Sequence, residues 1–78
     1  MSYTPKRYDF QDKPADYARL ADDLRALLAG ESDRTANAAN TAALIFAALP
    51  DVSWAGFYFL RDGELILGPF QGKPACVR

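Results

Sequence analysis

The residue with the clearest capacity for chemistry in this chain is its one cysteine, Cys76. A cysteine thiolate is a nucleophile that can be oxidised to a sulfenic acid or a disulfide, so a redox role is open to it. The alternative is an inert buried thiol, which is the commonest state of a free cysteine. A single cysteine cannot form an internal disulfide, and this is typical of a reducing compartment. We therefore expect a cytoplasmic protein.

Two aromatic residues, Trp54 and Tyr58, are the next candidates. They lie in a run of β-favouring residues and are four positions apart, so they share one face of a strand. Two such rings can line a pocket, or they can be core aromatics, which is the usual role on a strand. The acids Asp62 and Glu64 fall at a turn, where we expect them to serve solubility.

The composition excludes several classes of function. The chain has no histidine, which removes a Ser-His triad and a His-based zinc site, and no bound metal or cofactor is predicted. The net charge is -1 and the basic residues are scattered, so nucleic acid has no patch to bind. The uncharged apolar stretches 41–50 and 52–60 are shorter than the roughly 18 residues of a membrane span.

The first half of the chain predicts two helices. Residues 1–13 have no helical or alternating period and are interpreted as an N-terminal arm, and 14–78 as the N-terminal part of a larger, truncated domain. From Pro14, apolar residues recur at three- and four-residue steps up to Gly30, which predicts an amphipathic helix. Asp33 is the predicted N-cap of a second helix that ends at Pro50. That helix is rich in alanine, and we expect four of them to allow close packing: Ala36, Ala39, Ala43 and Ala47.

The second half predicts strands. Residues 52–60 are apolar at both alternating sets of positions, so this strand should be covered on both faces. Asp62-Gly63 predicts a tight hairpin turn into a partner strand, followed by a loop over 68–74 and a third strand beginning at 75–78. A hairpin alone is marginal in water, so we expect further material on the C-terminal side of an incomplete domain.

Three groups of residues carry a family resemblance. The segment from Trp54 to Leu60, the Asp62-Gly63-Glu64-Leu65 turn and the string Gly-Pro-Phe-Gln-Gly-Lys-Pro-Ala-Cys at 68–76 resemble the free methionine-R-sulfoxide reductases, a catalytic branch of the GAF domain family. The last string is the most specific of the three. The resemblance spans nearly the whole chain and about the first half of the family's domain. It implies a GAF-like α+β fold, with an antiparallel sheet and N-terminal helices packed on it.

The resemblance also implies a function and the roles of individual residues. Members of the family reduce free methionine-(R)-sulfoxide to methionine through a cysteine sulfenate and a disulfide, and thioredoxin then reduces the disulfide. Cys76 matches the first family cysteine, for which the resemblance implies the resolving role. Trp54 and Tyr58 match an aromatic wall beside the substrate methyl group. The other family cysteines have no counterpart in these 78 residues, so we expect the chain alone to be inactive.

Two alternatives remain open. The first is a non-catalytic GAF-like module that binds a small ligand or dimerises and in which Cys76 is incidental. The second is a short protein whose homodimer covers the aromatic strand.

Overall fold

The computed structural model describes residues 10–78, which form two helices followed by one antiparallel hairpin. The elements are α1 (Lys13–Leu28), α2 (Arg34–Ala48), β1 (Trp54–Arg61) and β2 (Glu64–Gly72). Helices that precede and pack on an antiparallel sheet confirm the predicted α+β architecture. Most of the predicted N-terminal arm, residues 1–9, lies outside the described residues.

Helix α1 begins one residue earlier than predicted because Asp12 caps it. The Asp12 carboxylate accepts a hydrogen bond from the Ala15 N–H at 3.3 Å, which satisfies one of the free donors of the first turn. Asp16 follows in the same turn and is buried, with 6% of its surface exposed. Its carboxylate pairs with Arg19 at 3.4 Å and lies near the positive end of the helix dipole.

Helix α2 begins as predicted, with the Asp33 carboxylate accepting a hydrogen bond from the Ala36 N–H at 2.7 Å. The core forms where this helix crosses α1. Leu44 is 2% exposed and packs with Leu20 and Ala48, and partly buried apolar side chains surround this cluster. The two helices therefore share one small apolar core.

The alanines of α2 that are fully buried differ from the four that were predicted to allow close packing. The structure buries Ala38, Ala42 and Ala48, whereas Ala39 is exposed and the other predicted alanines are only partly buried. Leu44 and Ala48, one turn apart, lie on the side of α2 that packs against α1, whereas Ala38 lines the cavity beside Phe57 and Phe59 on the side that faces β1.

The turn between the strands has the geometry predicted for Asp62-Gly63. Both residues have positive φ, at 49° and 79°, and Arg61 pairs with Glu64 across the turn. Positive φ at both central positions is the mark of a type I′ turn, whose twist matches that of the two strands. The hairpin prediction is confirmed.

Strand β2 is longer than predicted and runs through Gly68 and Pro69 to Gly72, where a loop over 68–74 was expected. One residue of β1 lies opposite Gly68 and Pro69 together, so β2 carries a bulge there. A bulge is a position where a strand tolerates proline, which has no N–H to give to the ladder. The loop prediction was therefore wrong over 68–72, because the Gly-Pro pair interrupts the strand's regularity without ending it.

The predicted third strand at 75–78 is not present as a strand in the described part of the chain. These residues nevertheless run along the outer edge of β2, where the Leu67 N–H donates to the Val77 carbonyl at 2.8 Å. One backbone hydrogen bond is too few to define a strand.

The hairpin has one covered face and one open face within residues 10–78. Phe57 and Phe59 point towards α2, where they line a cavity together with helix residues. On the opposite face Tyr58 is 38% exposed and Leu60 is 69% exposed. The prediction of two covered faces is met on the helix side only.

The type I′ turn gives a direct test of the hairpin geometry. Gly63→Ala should lower the free energy of unfolding by about 1 kcal/mol, because an L-residue at positive φ is strained while the added methyl group meets no atom within 4 Å. Urea titration measures the loss. Asp62→Asn is the matched control and should change stability by less than about 0.5 kcal/mol, since asparagine tolerates this conformation. Equal stability of Gly63→Ala and the original chain would contradict the turn assignment.

Candidate functional site

Three aromatic rings lie together on the open face of the hairpin, and we call them the aromatic wall: Trp54, Tyr58 and Phe70. The Trp54 ring stacks on Phe70 with centroids 5.6 Å apart and planes at 16°. Its centroid is 6.4 Å from that of Tyr58, with planes at 30°. Contacts of this kind contribute about 0.5–1.5 kcal/mol each beyond the area that they bury. The three rings therefore form one apolar surface.

Two glycines make room for the Trp54 ring. A Cβ at Gly56 would lie 2.6 Å from Cη2 of Trp54 and 2.4 Å from Cβ of Phe70. A Cβ at Gly72 would lie 2.9 Å from Cδ1 of Trp54, and the φ of Gly72 is +126°. The ring thus occupies the volume that two side chains would otherwise fill.

One of the two polar side-chain atoms of the wall, the indole nitrogen, has no protein partner within residues 10–78. The indole Nε1 of Trp54 is buried and finds no hydrogen-bond acceptor among the described residues. Buried indole N–H groups usually have an acceptor, because an unmet donor costs about 1–3 kcal/mol. The wall therefore combines an apolar surface with one buried indole N–H that has no partner within residues 10–78.

The stretch of residues 73–78, which we call the cysteine segment, returns to the hairpin beside this wall. The Tyr58 hydroxyl donates a hydrogen bond to the Cys76 carbonyl at 2.7 Å. Cys76 itself is exposed, so it is not a buried thiol. The structure thus brings together the three candidates from the sequence, since Tyr58 contacts Trp54 on one side and the Cys76 backbone on the other.

Phe70 is the wall residue that the sequence analysis missed. It was placed in a loop, and only the bulge in β2 brings it opposite Gly56 and onto the Trp54 ring. A phenylalanine two residues before Gly72 gave no separate signal, because the strand pairing was hidden by the adjacent Gly68-Pro69 pair.

Of the two acids at the turn, Asp62 and Glu64, which were expected only to serve solubility, Glu64 also contacts another side chain. Glu64 forms an ion pair with Arg78 at 2.8 Å, with 60% and 64% of the two side chains exposed. An exposed pair of this kind contributes only about 0–1 kcal/mol. Asp62 lies in the turn, as predicted.

The cavity lined by Phe57 and Phe59 has a volume of about 450 Å³ and lies on the helix side of the sheet, between α2 and β1. The Arg34 guanidinium lies 4.8 Å from the centre of the Phe59 ring that lines it. Asn37, also in its wall, donates from its side-chain amide to the Glu31 carbonyl at 2.9 Å, which is a structural contact to the preceding loop.

The part of the chain from residue 10 to residue 78 contains no group of three or more His, Cys, Asp or Glu side chains placed to hold a metal ion. None of its helices is long and apolar enough to cross a membrane.

The sequence is similar to several proteins of known name, although no family model matches it. It is 58% identical to the free methionine-R-sulfoxide reductase of Escherichia coli over 62 aligned residues, and these cover 80% of this chain and 38% of that protein. It is 55% identical over 69 residues to Protein YtsP of Bacillus subtilis, which covers 86% of this chain and 42% of that protein. The chain thus spans about two fifths of the length of these curated relatives.

Solved structures show the same arrangement of helices and hairpin. A free methionine-R-sulfoxide reductase from Neisseria meningitidis, solved in complex with its substrate, superposes with a TM-score of 0.82 at 36% identity, over 97% of this chain and 46% of that one. A GAF domain superposes with a TM-score of 0.79 at 34% identity, over 92% of this chain and 45% of that one. The chain therefore has the fold of part of a GAF domain, as the sequence predicted.

The space under the Trp54 ring can be tested with one glycine substitution. Gly72→Ala should lower the free energy of unfolding by about 2 kcal/mol, because the new methyl group meets Ser53 O at 2.8 Å as well as the indole. The displaced ring should also shift its fluorescence emission to the red, and Trp54 is the only tryptophan in the chain.

The control for this experiment is Gly63→Ala, which also has positive φ but meets no atom within 4 Å. It should lose stability without a change in tryptophan emission. An emission spectrum of Gly72→Ala that matches the original chain would contradict the proposed packing of the ring.

Proposed function

The chain is related to the free methionine-R-sulfoxide reductases, and from this relationship we propose that it supplies one part of such an enzyme: the aromatic wall of the substrate pocket and one redox cysteine. The reaction is the reduction of free methionine-(R)-sulfoxide to methionine. The observation that carries the proposal is that the exposed Cys76 borders a stacked aromatic wall, to which the Tyr58 hydroxyl joins its backbone.

The wall suits the substrate for a physical reason. The sulfoxide of methionine carries a methyl group, and moving this group out of water onto an aromatic ring lowers the free energy. Trp54 and Tyr58 supply such rings, and Phe70 stacks on the indole.

The chemistry that we propose for Cys76 is disulfide formation. In the first step a cysteine thiolate attacks the sulfoxide sulfur and one proton is taken from solvent; the S–O bond of the sulfoxide breaks, an S–O bond forms on the cysteine as a sulfenic acid, and methionine leaves. In the second step the Cys76 thiolate attacks the sulfenic sulfur, an S–S bond forms, the S–O bond breaks, and the oxygen leaves as hydroxide, which a proton from solvent converts to water. A thioredoxin-type dithiol then reduces the disulfide. The proposed setting is the cytoplasm, where such reductants keep thiols reduced.

The proposal divides the reaction between these residues and others. The 78 residues contain one cysteine, so the attacking thiolate of the first step must come from outside them. Cys76 serves as the resolving partner. A thiol in this role must meet both a sulfenic acid and an external reductant, and Cys76 is exposed.

A second candidate is a non-catalytic GAF-like module that binds a small ligand or a second copy of itself. The observation that favours it is the open apolar face, where Leu60 is 69% exposed and Leu65 is 58% exposed. In this case the wall binds a ligand and Cys76 takes no part in chemistry.

A chimera separates the two candidates. These residues would replace the matching part of the Escherichia coli free methionine-R-sulfoxide reductase, to which they are 58% identical. We expect the chimera to consume free methionine-(R)-sulfoxide with a thioredoxin system, measured as NADPH oxidation, while the 78-residue chain alone shows no repeated turnover.

Cys76→Ser in the chimera should release methionine once and then stop. Trp54→Ala should lower kcat/KM by about 10- to 100-fold, the equivalent of losing roughly 1.4–2.8 kcal/mol of contact with the substrate.

The matched control is Tyr17→Phe, which changes a half-exposed tyrosine on α1 and should leave turnover intact. A folded chimera that does not reduce methionine-(R)-sulfoxide would refute the proposal. Unchanged repeated turnover in Cys76→Ser would instead favour the non-catalytic role of this cysteine.

A further inference from the structure

The cysteine segment is held on the hairpin through three consecutive residues, each by one bond. The Cys76 carbonyl accepts from the Tyr58 hydroxyl at 2.7 Å. The Val77 carbonyl accepts from the Leu67 N–H at 2.8 Å. The Arg78 guanidinium pairs with Glu64 at 2.8 Å. Since residues 74–78 belong to no helix or strand, these contacts are what fixes their path.

The three contacts differ in what they fix. The Arg78–Glu64 pair is exposed on both sides and contributes at most about 1 kcal/mol. The bond from Leu67 holds Val77 at the edge of β2. The bond from Tyr58 is the one that reaches the backbone of the thiol-bearing residue itself.

The direction of the Tyr58 side chain lets this bond connect the aromatic wall with the cysteine segment. Tyr58 pairs with Leu67 across the hairpin, and Leu67 in turn bonds Val77 on its far side. The Tyr58 side chain therefore crosses β2 to reach Cys76, while its ring remains 6.4 Å from the Trp54 ring. One residue thus touches the aromatic wall with its ring and the cysteine segment with its hydroxyl.

We propose that the Tyr58 hydroxyl is a positioning group for Cys76: it fixes the backbone of the cysteine beside the aromatic wall so that the thiol is held where disulfide formation requires it. This role is separate from the contact between the Tyr58 ring and a substrate. It rests on the proposed function only for its catalytic consequence, because the positioning itself is a property of these 78 residues.

The catalytic consequence follows from local concentration. Disulfide formation joins the Cys76 sulfur to a sulfenic sulfur and releases water, with no further oxidant, so its rate depends on how often the two sulfurs meet in the right geometry. A segment fixed at its Cys76 carbonyl samples fewer positions than a free one. Losing a hydrogen bond of about 1 kcal/mol should reduce the docked population, relative to the undocked one, about five-fold.

The first test measures docking directly in the 78-residue chain. The Leu67 amide is protected by the Val77 carbonyl, so its hydrogen exchange reports release of the cysteine segment. Tyr58→Phe removes the hydroxyl and keeps the ring, and it should speed exchange of the Leu67 amide about five-fold relative to the amides within the β1–β2 ladder. Tyr17→Phe, which removes a hydroxyl from α1, should change neither. Unchanged relative exchange of Leu67 in Tyr58→Phe would overturn the proposal.

The second test measures the catalytic consequence in the chimera. Under single-turnover conditions, methionine release and disulfide formation are followed together, and Tyr58→Phe should lower the ratio of the second rate to the first about five-fold. An unchanged ratio would overturn the catalytic part of the proposal. A chimera that is inactive in every form would refute the proposed function, while the exchange test would still decide the positioning role.

Discussion

A tryptophan ring can lie flat against a hairpin only where the residues beneath it have no side chains. In this chain that condition is met twice, by Gly56 and Gly72, and an added Cβ at either would come within 3 Å of the indole. Most features of the open face depend on this packing. Phe70 can stack on the indole only while the ring is held flat, and the Tyr58 ring borders the same surface. The wall is therefore set by backbone shape as much as by its aromatic residues.

The hairpin divides the molecule into a structural side and a candidate functional side. On the structural side, α2 covers Phe57 and Phe59 and shares a small apolar core with α1. On the other side, the aromatic wall is open and the cysteine segment borders it. The small core and the open apolar face are consistent with a chain that spans about two fifths of its curated relatives' length. Part of the relatives' fold is thus present, as the two helices and the hairpin.

The parts that the sequence predicted well are those set by local chemistry. Asp33 caps α2 and Asp62-Gly63 forms the turn because these preferences act within a few residues. The alternation that places Trp54 and Tyr58 on one face is equally local, since it follows from the pleat of any strand. The resemblance to the reductases also rested on short strings of residues, and the comparisons confirmed it.

The parts that the sequence did not predict depend on contacts between distant residues. Which alanines of α2 are fully buried depends on where α1 and the sheet lie, so the buried ones, Ala38, Ala42 and Ala48, were not those predicted. Phe70 joins the wall only because a bulge at Gly68-Pro69 shifts the register of β2. Both outcomes require the position of a second element, which local preferences do not contain.

Tyrosine is suited to link the two halves of this site because its two ends differ in chemistry. The ring is apolar and stacks, while the hydroxyl seeks a hydrogen-bond partner. At position 58 the ring faces Trp54 and the hydroxyl meets the Cys76 carbonyl, so the geometry of the wall and the path of the cysteine segment constrain each other. A phenylalanine there would preserve the wall and lose the link, and a serine or threonine would be too short to cross β2. The side chain that meets both requirements is the one that the sequence has.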